Sequence, residues 1–224
     1  MEIKVMQTAA FKTAYEELVM QFERISGHKV TTLWTPSLEM MRKLKAGDVV
    51  DVVIMSAAAI DELTTHGVLG QRIDLATCGI GMAVRAGAPK PDMSSGEALK
   101  RAVLAAKSLV YSTGPSGIYL KELFERWGIN EVIKSKVLIV KGEPAGAMAA
   151  RGEAELAFQQ VCELLPVPGV DLVGALPEDI QKITTFSGAV HVNALQPAAA
   201  TALLKHLSAP TAASVIVKAG MGPV

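Results

Sequence analysis

Cysteine is almost missing from this chain. Only Cys78 and Cys162 occur. With no C-x-x-C spacing they make neither a metal site nor a disulfide scaffold; one bridge between the two stays open at this level. A basic block is also lacking. Lys plus Arg and Asp plus Glu stand at 22 each, which argues against nucleic-acid binding driven by phosphate neutralisation. Long hydrophobic runs are absent too. Apolar stretches such as Met55 to Ile60 are far too short to cross a bilayer, so no membrane insertion is expected. The first residues, Met1-Glu2-Ile3-Lys4-Val5-Met6, lack the basic, apolar and small-residue segments of an export signal. As given, the chain is expected in the cytoplasm; a trimmed mature form carrying an added Met would be periplasmic. No metal constellation and no nucleophile-base-acid arrangement is visible, so neither a metal nor a cofactor is expected.

What is present is a regular alternation. The 224 residues, half of them hydrophobic, allow one large domain or two small ones. Ile3 and Val5 alternate with Glu2 and Lys4, a short strand. Phe11, Tyr15, Leu18, Val19, Phe22 and Ile25 then recur at helical spacing, and Gly27 sits where a C-cap belongs. Val30 to Trp34 is β-branched. Leu38, Met41 and Leu44 mark a helix that stops at Gly47. Asp51 to Met55 is a continuous apolar strand of the kind buried on both faces. A helix with Ile60 and Leu63 inward follows it and ends at Gly67. Such β-α alternation predicts a parallel α/β sheet, with the strand-to-helix loops on one edge where ligands bind. Thr8, Ser37 and Ser56 share that edge. Their alternative role is N-capping.

The second half repeats the pattern. Gly79 to Arg85 is a strand, and Ala86-Gly87-Ala88-Pro89-Lys90-Pro91-Asp92 is the most linker-like stretch, so a domain crossing is placed near it. Ser94 and Glu97 form a capping box. Leu109 to Tyr111 is a strand that runs into Ser112-Thr113-Gly114-Pro115-Ser116-Gly117 and then a helix with Leu120, Leu123, Phe124 and Trp127 on one face. Strand, small polar loop and helix are a common way to build an anion site, because first-turn amides lack internal partners and carry the positive end of the helix dipole. The plain alternative is a βα turn with Ser116 as N-cap. Val137 to Val140 and Leu156 to Gln159 are further strands, and Gln159 or Gln160 offers an amide at a strand end. Lys182 to Val192 reads as the return crossing. Two alanine-rich helices, Pro197 to Leu207 and Thr211 to Ala219, close the chain on its first half.

Thr8-Ala9-Ala10-Phe11, Ala46-Gly47 followed by Asp51-Val52-Val53-Ile54, Arg85-Ala86-Gly87-Ala88-Pro89, Ser116-Gly117-Ile118-Tyr119, and Ala149 to Glu153 leading into Leu156 carry a resemblance. In that order they resemble the molybdate-binding-protein-like branch of the solute-binding proteins of ABC transporters, with the type II periplasmic-binding-protein fold. The resemblance implies an α/β protein of two lobes, each a mostly parallel sheet flanked by helices, joined by two crossing strands. Lobe one is expected at 1–80 and 187–224, lobe two at 81–186. It also implies ligand contacts from Thr8, Ala9, Ala10, Ser37 and Ser56 in lobe one, and from Ser112, Ser116, Gly117 and Gln159 in lobe two. The partners implied are a small anion and, for an exported chain, an ABC permease.

The chain departs from the pattern of oxyanion-binding members. Ala10 stands where they look to have a serine, Thr35-Pro36-Ser37 replaces a serine-rich loop, and Gln159 or Gln160 replaces a tyrosine. A bare dianion needs nearly every oxygen hydrogen-bonded. The mixed amide, hydroxyl and backbone donors here fit an organic carboxylate better than molybdate. Some relatives of the branch look like isomerases, aconitate isomerase among them. Isomerisation needs a base within reach of the substrate proton; His191, Tyr111, Tyr119 and Glu163 are the titratable residues nearest the predicted loops. Arg85 and Arg151 are the arginine candidates.

Overall fold

The computed structural model describes residues 1–224. The chain divides into two compact units, Met1–Cys78 with Thr184–Val224, and Gly79–Ile183. The crossings fall inside two strands and not in the linker-like stretch 86–92, which lies within the second unit. Gly79 to Arg85 is the end of one thirteen-residue strand that begins at Ile73. Its near-continuous burial lets it serve both units without a break.

In the first unit, β1 (Glu2–Gln7), α1 (Lys12–Ser26), β2 (Lys29–Trp34), α2 (Ser37–Lys45), β3 (Val52–Ser56) and α3 (Ala57–Thr65) alternate as expected. β1 lies between β2 and β3, parallel to both. The returning strand β9 (Ile183–Val190) adds antiparallel to β3. One face of this sheet packs Met6, Val53 and Met55 against Met40 and Leu44 of α2 and Ile60 and Leu63 of α3. The other face carries Ile3, Val5 and Ile54. α9 (Pro197–Leu207) covers it closely: a Cβ on Gly188 would lie 2.4 Å from Leu204 Cδ2. α1 meets both α9 and α10 (Ala213–Lys218), and His206 Nε2 sits 3.1 Å from the Leu18 carbonyl.

Two helix faces differ in detail from the spacing. Ile25 is 74 % exposed, because α1 ends in its last turn before the left-handed cap at Gly27. Leu38 is 67 % exposed and Met40 takes its place inside. The helix starts at Ser37, so the buried stripe falls at Met40 and Leu44, an i,i+4 pair.

The second unit holds the end of β4 (Ile73–Arg85), then α4 (Gly96–Ala105), β5 (Leu109–Ser112), α5 (Pro115–Arg126), α6 (Asn130–Ile133), β6 (Val137–Val140), α7 (Ala145–Ala150), β7 (Leu156–Gln160), α8 (Val161–Leu164) and β8 (Val170–Ala175). The strand order is β4-β7-β5-β6, with β8 also on β4. β5 is parallel to β6 and β7, while β7 and β8 are antiparallel to β4. Leu120, Leu123 and Phe124 of α5 pack with Leu99, Tyr111 and Phe158 on one face. Ala145 and Ala149 of α7 pack with Val110, Ala157 and Leu164 on the other. Small residues here let α7 approach the sheet closely. α4 is capped one residue later than the sequence suggests: Ser95 is the N-cap and its hydroxyl accepts from the Ala98 N–H. Neither cysteine is in a disulfide.

Candidate functional site

In the first unit the carboxyl ends of three strands lie at one edge. Gln7 stands in register with Trp34 and with Ile54. The Thr35 N–H donates to the Gln7 carbonyl at 2.9 Å, and the Thr8 N–H to that of Ile54 at 3.3 Å. These bonds hold Thr8 and Thr35 at the strand ends, and Ser56 closes β3 at the same edge. Ala9 and Ala10 form a single 3-10 turn with Phe11 before α1, with Ala9 exposed and Ala10 buried. Thr8 and Ser56 occupy N-cap positions, yet neither side chain caps; Ser37 is the first residue of α2, behind Pro36. The hydroxyls are not consumed by helix ends, so capping does not account for them.

Gln7 was not singled out by sequence. It closes the buried row Ile3, Val5, Gln7 of β1 and is 0 % exposed. Neither Nε2 nor Oε1 of its side chain has a hydrogen-bond partner. The only signal in the sequence is an amide at a position where the strand's alternation calls for an aliphatic residue.

In the second unit, β5 and β7 run parallel with Tyr111 opposite Phe158, so Ser112 and Gln159 come level at the strand ends. The Ser112 hydroxyl accepts from the Gly114 N–H at 3.2 Å and tightens the turn. α5 starts with Gly114 as N-cap and Pro115 in its first turn; Ser116 lies inside the helix, not at the cap. The amides of Ser116 and Gly117 thus fall among the unpaired first-turn donors. Gly117 has a packing reason to be glycine. Its Cβ would sit 1.6 Å from the Ser112 carbonyl oxygen. Ligand access does not require it; the strand-to-helix turn does.

Gln159 is the best-defined polar group of this unit. Its Oε1 accepts the Ala145 N–H at 2.7 Å, and its Nε2 donates to Glu163 Oε1 at 2.7 Å. The backbone donor fixes which end of the amide faces which partner. Glu163 also receives the backbone N–H of Gln160, the N-cap of α8, so it acts as the acid of a capping box. Burial outweighs these two hydrogen bonds and pushes its carboxyl up to about 7.

The other titratable candidates are committed elsewhere. Tyr119 donates to the Ile180 carbonyl at 2.8 Å, Tyr111 packs in the core, and His191 Nδ1 accepts from the Asn193 N–H. Arg151 is paired with Glu143 and Glu153 at 2.8 and 2.7 Å on the surface. No lysine or arginine falls on the strand-end residues 7–10, 35–37, 56, 112–117 and 159–160. The donors are neutral, and no group of three acidic, cysteine or histidine side chains is placed to hold a metal ion.

Two α/β units, linked by two strands and presenting hydroxyl, amide and first-turn donors at their strand ends, define the type II periplasmic-binding-protein fold. Residues 3–222 match the family of bacterial extracellular solute-binding proteins, and the chain belongs to that family. Its fold is that of the periplasmic molybdate-binding protein of Azotobacter vinelandii, with a TM-score of 0.80 at 18 % identity over 98 % of each chain. A tungstate ABC transporter structure from Geobacter sulfurreducens overlaps with a TM-score of 0.74 at 15 % identity, covering 97 % of this chain and 98 % of that one. In sequence, an aconitate isomerase from a Pseudomonas species is 37 % identical over 230 residues, 99 % of this chain and 88 % of the relative.

Proposed function

We propose that this solute-binding protein takes a small organic carboxylate as its ligand, bound through donors at the strand ends. The observation that carries this reading is the donor set. It is made of neutral hydroxyls and helix first-turn N–H groups, with the one Nε2 hydrogen that Gln159 does not give to Glu163. Amides and hydroxyls match a carboxylate's planar, partly delocalised charge, and the similarity to an aconitate isomerase supports the same chemical class. In a transport setting, the liganded form would dock on an ABC permease. A thermal-shift and calorimetric panel of cis- and trans-aconitate, citrate, tricarballylate, molybdate, tungstate and sulfate tests the reading. A ligand at a hundredfold excess over its Kd stabilises the folded state by about 2.7 kcal/mol. Binding of the oxyanions alone overturns the carboxylate assignment.

A second reading, isomerisation of a small tricarboxylate, is favoured by Glu163. With the 37 % identity to an aconitate isomerase beside it, Glu163 is the candidate base: in its ionised form a carboxylate would take a proton from a methylene carbon of the substrate and, as the acid so formed, return it to the far carbon of the allylic system. Incubating cis- and trans-aconitate in heavy water and following proton exchange by NMR tests this. Exchange and interconversion that disappear in Glu163→Gln support it; neither exchange nor interconversion in the wild type removes it.

A further inference from the structure

We infer that Gln7 is a ligand-contacting, specificity-determining residue, and that its amide selects an organic acid bearing a hydrogen-bond donor over a fully ionised oxyanion. The inference rests on the proposed reading that the strand ends hold an organic acid. It starts from an energetic conflict. A buried amide without partners is among the costly features of a fold, and an aliphatic side chain of the same length would relieve it. Gln7 nevertheless occupies the last position of the central strand β1, on a row otherwise made of Ile3 and Val5. Both ends of its amide are unpartnered.

Its place in the fold matches a recognition role. The next residue is Thr8, and the Gln7 carbonyl is bonded to the Thr35 N–H, so the residue is anchored at the carboxyl-end edge of the sheet, where the Thr8 and Ser56 side chains do not cap the helices they precede. The amide's chemistry then narrows the ligand. Nε2 donates and Oε1 accepts. Molybdate, tungstate and sulfate as dianions offer acceptors only. They satisfy Nε2 but place negative charge against Oε1. A hydroxy acid, or a polycarboxylate with one carboxyl protonated, satisfies both ends. A site built to pair with a ligand's polar group rejects analogues without it far more strongly than an apolar pocket rejects a change of size.

The test compares wild type with Gln7→Met, which keeps the length and removes both polar atoms. Calorimetric titrations use cis-aconitate, trans-aconitate, citrate, tricarballylate and molybdate, and scanning calorimetry gives the Tm of each unliganded protein. Gln7→Met is expected to bind the organic acid preferred by wild type at least about tenfold more weakly, the size of one lost buried hydrogen bond. Its unliganded Tm is expected to equal or exceed that of wild type. Wild type binding an organic acid with the affinity unchanged in Gln7→Met overturns the role of Gln7 and leaves the carboxylate reading standing. A Tm several degrees lower in the unliganded variant also overturns it, since the amide would then be structural. Should Gln7→Met fail to fold, Gln7→Glu keeps the shape and places a charge there; an undiminished affinity for the anion in that variant is equally fatal. Wild type that binds only molybdate, or none of the panel, removes the carboxylate reading and the inference together.

Discussion

Glu163 receives two hydrogen bonds that favour its ionised form, yet burial wins and the neutral acid is preferred up to about 7. The sign of the linkage follows. A carboxyl whose folded pKa is raised adds stability that is complete below the unfolded value and is lost as pH climbs through the folded one. Between about pH 5 and 8 the wild-type Tm is expected to fall by a component that Glu163→Gln lacks, because the amide stays neutral throughout. Parallel calorimetric profiles for the two proteins would show that the carboxyl is not held neutral. Asp51 makes a different case. Its carboxylate accepts the Lys4 N–H and the Gln196 N–H, each at 2.8 Å, and so joins β1, β3 and the entry to α9. Asp51→Ala leaves two backbone donors without an acceptor, and chemical denaturation is expected to show a loss of about 2–4 kcal/mol.

At the scale of elements, the turn from β5 to α5 depends on Gly117. Alanine there would drive its Cβ into the Ser112 carbonyl, so Gly117→Ala must displace the helix start. A loss of about 1–3 kcal/mol is expected in urea titrations, together with weaker ligand binding as Ser112 and Ser116 move. This glycine shows what the sequence made legible and what it hid. Strands and helices could be read because Val52 to Met55, or Leu120 with Phe124, follow the periods that burial imposes. The strand-end positions of Thr8, Ser37, Ser56, Ser112 and Gln159 could be read for the same reason. Why each residue is there could not. Gly117 serves packing, Ser95 and not Ser94 caps α4, and the passage between units hides inside an unbroken strand where a linker seemed the natural place. Gln7 does not stand out in the sequence because a polar residue at a strand end is ordinary until its burial is known, and burial depends on the strands β2 and β3 that flank it.

At the scale of the whole molecule, the second unit is one uninterrupted segment, while the first is assembled from both ends of the chain. Thr77 and Gly222 exchange backbone hydrogen bonds at 2.7 and 2.8 Å, tying the last residues to the middle of the sequence. The segment 79–183 has its own aliphatic core on both sheet faces. Expressed alone, it is expected to melt cooperatively by circular dichroism. A chain ending at residue 208 is expected to lose the first unit's transition and keep the second's.

The interruption of the first unit also sets an order of birth. β3 is apolar and buried throughout Val52–Met55, and its partner strand β9 pairs with it only through residues 186–190. On a ribosome adding about 5–20 residues per second, that partner arrives on the order of ten seconds later. The second unit emerges complete in the interval. Meanwhile β3 presents an open, sticky edge to every other nascent chain in the vicinity. A holdase that covers β3 until β9 appears is therefore expected to raise the soluble yield of this chain, read as the soluble fraction made in a cell-free synthesis with and without it.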